Sequence, residues 1–158
     1  MKILVISDTH GYTANAEKLI KNGDFDYCIH LGDMADDCIK LQTIFPKQKF
    51  IFARGNNEFY LTDDSLFPYE RIFTLENVKF FICHGHKYNV KLSTSLLKSK
   101  ALDENADIVL FGHTHSPMTE NDGKITLMNP GNIFSYGTIE IHDKNAMCEI
   151  HDFYAKDE

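Results

Sequence analysis

No pair of cysteines in this chain has the Cys-x-x-Cys spacing of a thiolate metal site. Cys28, Cys38, Cys83 and Cys148 are widely spread, which fits small, reduced core residues in a cytosolic protein. Positive charge is also short, with 16 Lys and Arg against 23 Asp and Glu and a formal net charge of -7. That balance disfavours a sequence-blind electrostatic grip on nucleic acid. It leaves room for a phosphate-bearing substrate, because cations bound among the carboxylates would offset the charge locally. Long hydrophobic runs are missing as well. Ile3-Leu4-Val5-Ile6 is too short for a signal peptide and has no cleavage pattern, and no later run approaches transmembrane length. The expectation is a cytoplasmic chain with no membrane partner. Nor is there an internal repeat, a low-complexity segment or a linker. The 158 residues, 43% hydrophobic and 25% charged, are therefore expected to form a single domain, 1–158.

What is present begins with apolar runs that each end in a polar cluster. Residues 2–7 read as a buried strand ending in Asp8-Thr9-His10-Gly11. A helix should follow with Ala16, Leu19 and Ile20 on one face and Gly23 near its C-cap. Residues 26–31 read as a second strand ending in Gly32-Asp33, and a second helix carries Ala35, Cys38, Ile39 and Phe45 until Pro46 stops it. Residues 49–53 form a third strand, ending in Arg54-Gly55-Asn56-Asn57-Glu58. This β-α-β-α-β order implies a parallel sheet with right-handed crossovers.

The stretch 62–70, with Pro68, reads as a loop. Residues 71–75 and 78–83 read as a hairpin around Glu76-Asn77, running into His84-Gly85-His86. Leu92, Leu96, Leu97 and Ala101 have helical spacing with Ser93 as a cap, and residues 107–111 form a strand leading into Gly112-His113-Thr114-His115. A hairpin around Asn121-Asp122-Gly123, a turn at 129–132 and antiparallel strands at 136–142 and 146–153 complete the chain.

In open α/β sheets, ligands bind beyond the carboxyl ends of the strands. Five runs here finish there in Asp, His or Asn, and the candidates are Asp8, His10, Asp33, Asn56, His84, His113 and His115. Carboxylate, imidazole and amide oxygen suit manganese, iron, zinc or nickel. Seven donors are too many for one tetrahedral zinc. They match two ions sharing a carboxylate and a water, roughly 3.5–4 Å apart, as in enzymes that clamp the oxygens of an in-line displacement. Each motif alone has an ordinary explanation as a helix cap or a turn residue. His30 reads as a structural histidine, and His142 and His151 as surface residues of the last strands. Lys91, Lys98 and Lys100 read as a solvated helix face.

Asp8-x-His10, Gly32-Asp33, Gly55-Asn56, His84 in His-Gly-His and Gly112-His113-x-His115 occur in this order. Together they resemble the calcineurin-like metallophosphoesterases, and the short chain is most similar to their small YfcE-like phosphodiesterase branch. The resemblance implies an α/β fold, a four-layer α/β/β/α sandwich of two mixed sheets with the metal site at one edge. It also implies two divalent ions, manganese first, with nickel, zinc or iron as alternatives. Asp8, His10, Asp33 and His115 would hold one ion, and Asp33, Asn56, His84 and His113 the other, with Asp33 bridging. A hydroxide bridging the ions would attack phosphorus in line, making the chain a phosphodiesterase or phosphatase acting on a small phosphate ester. Arg54 would contact a phosphate oxygen and Asn57 would donate a hydrogen bond.

One position departs from the family pattern. Many members carry histidine after Gly-Asn and are thought to protonate the leaving oxygen with it, whereas this chain has Gly55-Asn56-Asn57-Glu58. An amide cannot act as a general acid near neutral pH. Water, His86 or a good leaving group must then serve, and Asp33, Asn57 and His86 are the residues expected to take part in catalysis. A nuclease is disfavoured by the acidic balance. The alternative from another class is a protein-interaction scaffold, as in the retromer subunit that resembles this branch, but all seven ligand positions are filled here. A homo-oligomer through the β-rich C-terminal half is a further expectation.

Overall fold

The computed structural model describes residues 1–61 and 65–154. Strand β1 (Lys2–Ile6) is sandwiched between parallel β2 (Tyr27–His30) and antiparallel β9 (Ser135–His142). β3 (Lys49–Phe52) and β10 (Asn145–Asp152) complete a mixed sheet in the order β10-β9-β1-β2-β3. The second mixed sheet has the order β4-β5-β6-β8-β7, built from β4 (Glu70–Leu75), β5 (Val78–Cys83), β6 (Ile108–Leu110), β7 (Met118–Asn121) and β8 (Thr126–Asn129).

Side-chain alternation on these strands decides the layers. Ile3, Val5, Ile29 and Leu31 meet Phe80, Ile82, Ile108, Leu110 and Met128 in a core between the sheets. Leu4, Ile6 and Cys28, on the opposite pleat, pack on Ala16 and Ile20 of α1 (Ala14–Asn22) and Leu41 of α2 (Ala35–Ile44). Phe81, Cys83, Val109 and Phe111 likewise pack on Leu97 and Ala101 of α3 (Ser95–Asp103). Because the central strands are buried on both faces, they read as continuous apolar runs. The arrangement is the expected α/β/β/α sandwich.

The hairpins close as expected. Glu76 and Asn77 have φ of 46° and 64°, and Asp143 and Lys144 have 47° and 71°. Positive φ at both central residues is the backbone of the tight turn that matches strand twist.

Several local expectations need correction. Leu92 is 89% exposed and Leu96 is also exposed, so the buried face of α3 is Leu97 and Ala101. The helix starts only at Ser95, which places Lys91 on the preceding turn, and Thr94 is the cap position. Ser93 Oγ nevertheless accepts the Ser95 amide at 3.1 Å. On α2, Ile39 is exposed and Leu41 takes the core position. Of the loop expected over 62–70, residues 65–69 are irregular, and residues 62–64 lie outside the described residues. Among the described residues, no helix is long and apolar enough to cross a membrane.

The burial map separates two variants. Phe80→Ala should lower stability in urea unfolding by about 3–5 kcal/mol, because the ring is fully buried between the sheets. Leu92→Ala should stay within about 0.5 kcal/mol of the parent. The reverse ranking would contradict the layer assignment.

Candidate metal centre

The carboxyl ends of β1, β2, β3, β5 and β6 converge where the two sheets meet. Asp8 N–H donates to Gly32 O (3.0 Å), Gly112 N–H to His84 O (3.0 Å) and His113 N–H to Asp8 Oδ2 (3.1 Å). The last bond joins residues 105 apart in sequence and ties the second sheet to the first. Ser7 Oγ also donates to Asp8 Oδ2. Backbone has to pass very close here. A Cβ on Gly112 would overlap Ser7 Oγ, and one on Gly55 would overlap Asp33 Oδ1 and the Asp33 amide. Glycine is therefore required at both positions by packing.

Five of the seven candidate donors lie in the left-handed region: Asp8 (φ 53°), His10 (45°), Asp33 (59°), His113 (67°) and His115 (59°). Such backbone costs on the order of 1–3 kcal/mol per residue and collects at functional sites. Here it turns consecutive side chains toward one point. Asp8 Oδ1 lies 3.1 Å from His115 Nε2, 3.9 Å from His10 Nε2 and 3.9 Å from His84 Nε2. His84 Nε2 is also 3.4 Å from Asp33 Oδ1, 3.1 Å from Asn56 Oδ1 and 3.2 Å from His113 Nδ1. All seven predicted residues are thus brought together.

Two features test whether these residues suit cations. Asp8 is fully buried, and among the described residues its Oδ1 has no hydrogen-bond partner. An orphaned buried acceptor of this kind is costly and calls for an explanation. Secondly, His84 Nδ1 is 2.8 Å from Leu31 O. Only an N–H can donate to a carbonyl, so Nδ1 carries a proton and Nε2 faces the site, a bare lone pair in the neutral ring and a donor to Asp33 when the ring is protonated. Lone pairs from carboxylate, amide and imidazole then face one another, an arrangement that needs a proton or a cation between them. Two triads have donor atoms within 4.8 Å of one another, Asp8-His10-His115 and Asp8-Asp33-His84. Their common member is Asp8, whereas the family resemblance gives Asp33 the bridging role. The donor chemistry fits divalent first-row ions.

Burial would raise the Asp33 carboxyl, but the His84 hydrogen bond and charge and the Asn57 amide outweigh it and bring its pKa down to about 2. Burial would lower His84, yet the hydrogen bond to Asp33 and the Asp8 charge raise it. His113 is lowered by burial and by nearby His84 and Lys91. Burial, then His84 and His113, hold His86 at about 4. Its ring lies against Tyr69 at 5.7 Å, and its Nδ1 is buried with no hydrogen-bond partner among the described residues.

Arg54 is placed differently from the substrate contact expected of it. It is 3% exposed, donates from Nε to Phe67 O (2.9 Å) and from Nη1 to Leu61 O (3.0 Å), and lies over the Tyr69 ring. It therefore braces the loop after β3. Asn57 does sit at the site, with its N–H on Asp33 Oδ1 (3.2 Å) and its Nδ2 on Asp33 Oδ2 (2.9 Å).

A supporting layer escaped the sequence reading. Gly32 N–H donates to His30 Nδ1 (3.2 Å), which leaves the Nε2 proton to reach Thr9 Oγ1 (2.9 Å). Thr9 Oγ1 donates on to Asp37 Oδ2 (2.6 Å), which also accepts the Gly11 amide (2.7 Å). This chain brackets His10 from both sides. Asn129 Nδ2 donates to Gly112 O and to Thr114 Oγ1, both at 2.9 Å, and supports the turn that carries His113 and His115. The only local signal was a polar residue before Pro130 at a strand end.

Fold and donor set together define a candidate metal centre at the edge of a two-sheet sandwich. The comparisons agree. Residues 1–151 match the calcineurin-like phosphoesterase superfamily domain, and the chain belongs to that family. A probable metallophosphoesterase of Mycoplasma genitalium is 32% identical over 136 residues, covering 84% of this chain and 77% of the relative. Phosphodiesterase YfcE of Escherichia coli is 26% identical, with 84% and 79% covered. A phosphodiesterase of Methanocaldococcus jannaschii is also 26% identical, with 87% of each chain covered. A Streptococcus pneumoniae crystal structure described as a predicted phosphoesterase superposes with a TM-score of 0.78, at 27% identity over 96% of this chain and 89% of the other. Zinc-complexed Vps29 of Entamoeba histolytica has a TM-score of 0.75 at 19% identity, over 97% of this chain and 99% of the other, which is a likeness of fold.

Two outcomes follow from the local geometry. His30 is held near pKa 4 by burial against an ordinary value of 6.5, so the folded state binds fewer protons there than the unfolded chain between those values. Its contribution, up to about 3 kcal/mol, is present above pH 6.5 and lost as pH falls toward 4. Urea unfolding at pH 7 and pH 5 should show a smaller loss in His30→Gln than in the parent, and equal losses would exclude this account. His115→Gly, at φ 59° with an exposed ring, should leave metal-free stability unchanged or raise it by up to about 1 kcal/mol. A clear fall in its metal-free Tm would show that the backbone there is unstrained.

Proposed function

We propose that this chain is a phosphodiesterase that uses two divalent ions, manganese the first candidate. The observation that carries the reading is the orphaned Asp8 Oδ1, facing three imidazole nitrogens at 3.1–3.9 Å inside a buried cluster. Asp8, His10, Asp33 and His115 would hold one ion, and Asp33, Asn56, His84 and His113 the other. Bound there, the ions would supply Lewis-acid charge to the phosphoryl oxygens and a hydroxide at neutral pH for in-line attack on phosphorus. The naming of similar Escherichia coli and Methanocaldococcus jannaschii proteins as phosphodiesterases supports the diester preference.

The chain's own part is to hold donors in place before substrate arrives, so little reorganisation is left to the reaction. Asn57 grips both oxygens of Asp33 and orients that carboxylate. Neither Asn57 nor His86 is an effective acid at neutral pH, since the amide has no labile proton in that range and His86 is neutral above about 4. Neutral His86 can offer an N–H to a leaving oxygen or take up a proton. Protonation of the leaving group then falls to water, which favours esters whose leaving groups are already stable anions.

The test is hydrolysis of a chromogenic phosphodiester and the matching monoester by metal-stripped protein, with Mn²⁺, Ni²⁺, Zn²⁺ or Mg²⁺ added back. Diester turnover should return with metal, and Asp33→Asn and His84→Ala should each cost about 100-fold or more, or about 3 kcal/mol of transition-state stabilisation. Rates should fall steeply across a series of poorer leaving groups. No turnover with any metal, despite ions bound, would favour a scaffold of the same fold.

A further inference from the structure

Beside the candidate donors lies a carboxylate that takes no part in the cluster. Glu58 is 1% exposed, and among the described residues no cation comes within ion-pairing distance of it. Burying an uncompensated carboxylate is expensive unless both oxygens are well satisfied. Its partners are two backbone amides. Oε2 accepts from Gly55 N–H at 2.6 Å, and Oε1 accepts from Met34 N–H. Gly55 immediately precedes Asn56, and Met34 immediately follows Asp33. Met34 is held at φ 83° and heads α2 without a side-chain cap of its own, so the carboxylate also lies where a helix N-terminus favours negative charge.

We infer that Glu58 is a positioning residue that locks the loop carrying Asn56 onto the loop carrying Asp33 and so sets the spacing of these two donors. The turn 55–58 grips both Asp33 and Met34. Asn57 holds the carboxylate oxygens from one side, and Glu58 holds the following amide from the other. The carboxylate offers one acceptor oxygen to each amide. Glutamine would present one oxygen and one NH2, and the NH2 would face an N–H donor. Without the lock, the strained backbone at Asp33 (φ 59°) and Met34 would have a route to relax. The consequence for ion binding rests on the two-ion reading above, while the lock itself does not.

The experiment has two arms. Backbone amide exchange on the metal-free wild type should show Gly55 and Met34 strongly protected relative to the exposed Phe59. Calorimetric Mn²⁺ titration should show Glu58→Gln, folded by circular dichroism, weakened about 10–100-fold in one binding step. Asn56→Ala should weaken the same step, and the double variant should lose less than the two single losses combined. A mere cap on α2 would lower Tm and leave both steps at wild-type affinity, and that result overturns the proposal. Unprotected Gly55 and Met34 amides overturn it too, even if Glu58→Gln fails to fold. A wild type that binds no Mn²⁺ but protects both amides would sink the two-ion reading and sustain the lock.

Discussion

The two oxygens of Asp8 do different work, and the rest of the molecule is arranged around that division. Oδ2 accepts Ser7 Oγ and the His113 amide and so fastens one sheet to the other. Oδ1 is turned to a cluster of imidazoles and, among the described residues, is left without a hydrogen bond. Holding a buried carboxylate in this state requires backbone from both sheets to approach closely. That explains why no Cβ fits at Gly112, where one would meet Ser7 Oγ and Asp8 Oδ2. The interior between the sheets provides the rigidity against which this close approach can be maintained.

The acidic balance of the chain takes on a meaning at this site. Asp8, Asp33, Asp37 and Glu58 are all buried within one small region. Asp37 and Glu58 are answered by backbone amides and a hydroxyl, and they arrange the three loops that follow β1, β2 and β3. Asp8 and Asp33 face the donor cluster. Charge of one sign is thus divided between holding loops and lining the donor cluster. Asn57 fits the same scheme, because its backbone and side-chain amides bind the two oxygens of Asp33 and hold that carboxylate in place.

Arg54 shows that a residue's place in a motif does not fix its contacts. Its position next to Gly55-Asn56 suggested a cation reaching for phosphate. The guanidinium instead lies buried among the Phe67 and Leu61 carbonyls and the Tyr69 ring, because the loop after β3 folds back over it. Leu92 and Leu96 show a related limit. Their spacing is helical, yet the chain is still in a turn at Leu92, and the helix that starts at Ser95 turns Leu96 to solvent.

The residue pattern by itself determined the β-α-β-α-β order of the first half and the membership of the candidate cluster, whereas the layer order came with the family resemblance. Those two are written in short-range patterns: continuous apolar runs for strands buried on both faces, and Asp, His or Asn at the strand ends. Only the tertiary structure decided which carboxylate oxygen stays free, which imidazole nitrogen faces the site, and which residues hold the loops. Thr9 with Asp37, Glu58 with Met34, and Asn129 with Gly112 are partners 17 to 28 residues apart. No local pattern marks them, because a hydrogen bond depends on the distance and direction between groups that meet only after the sheets have packed.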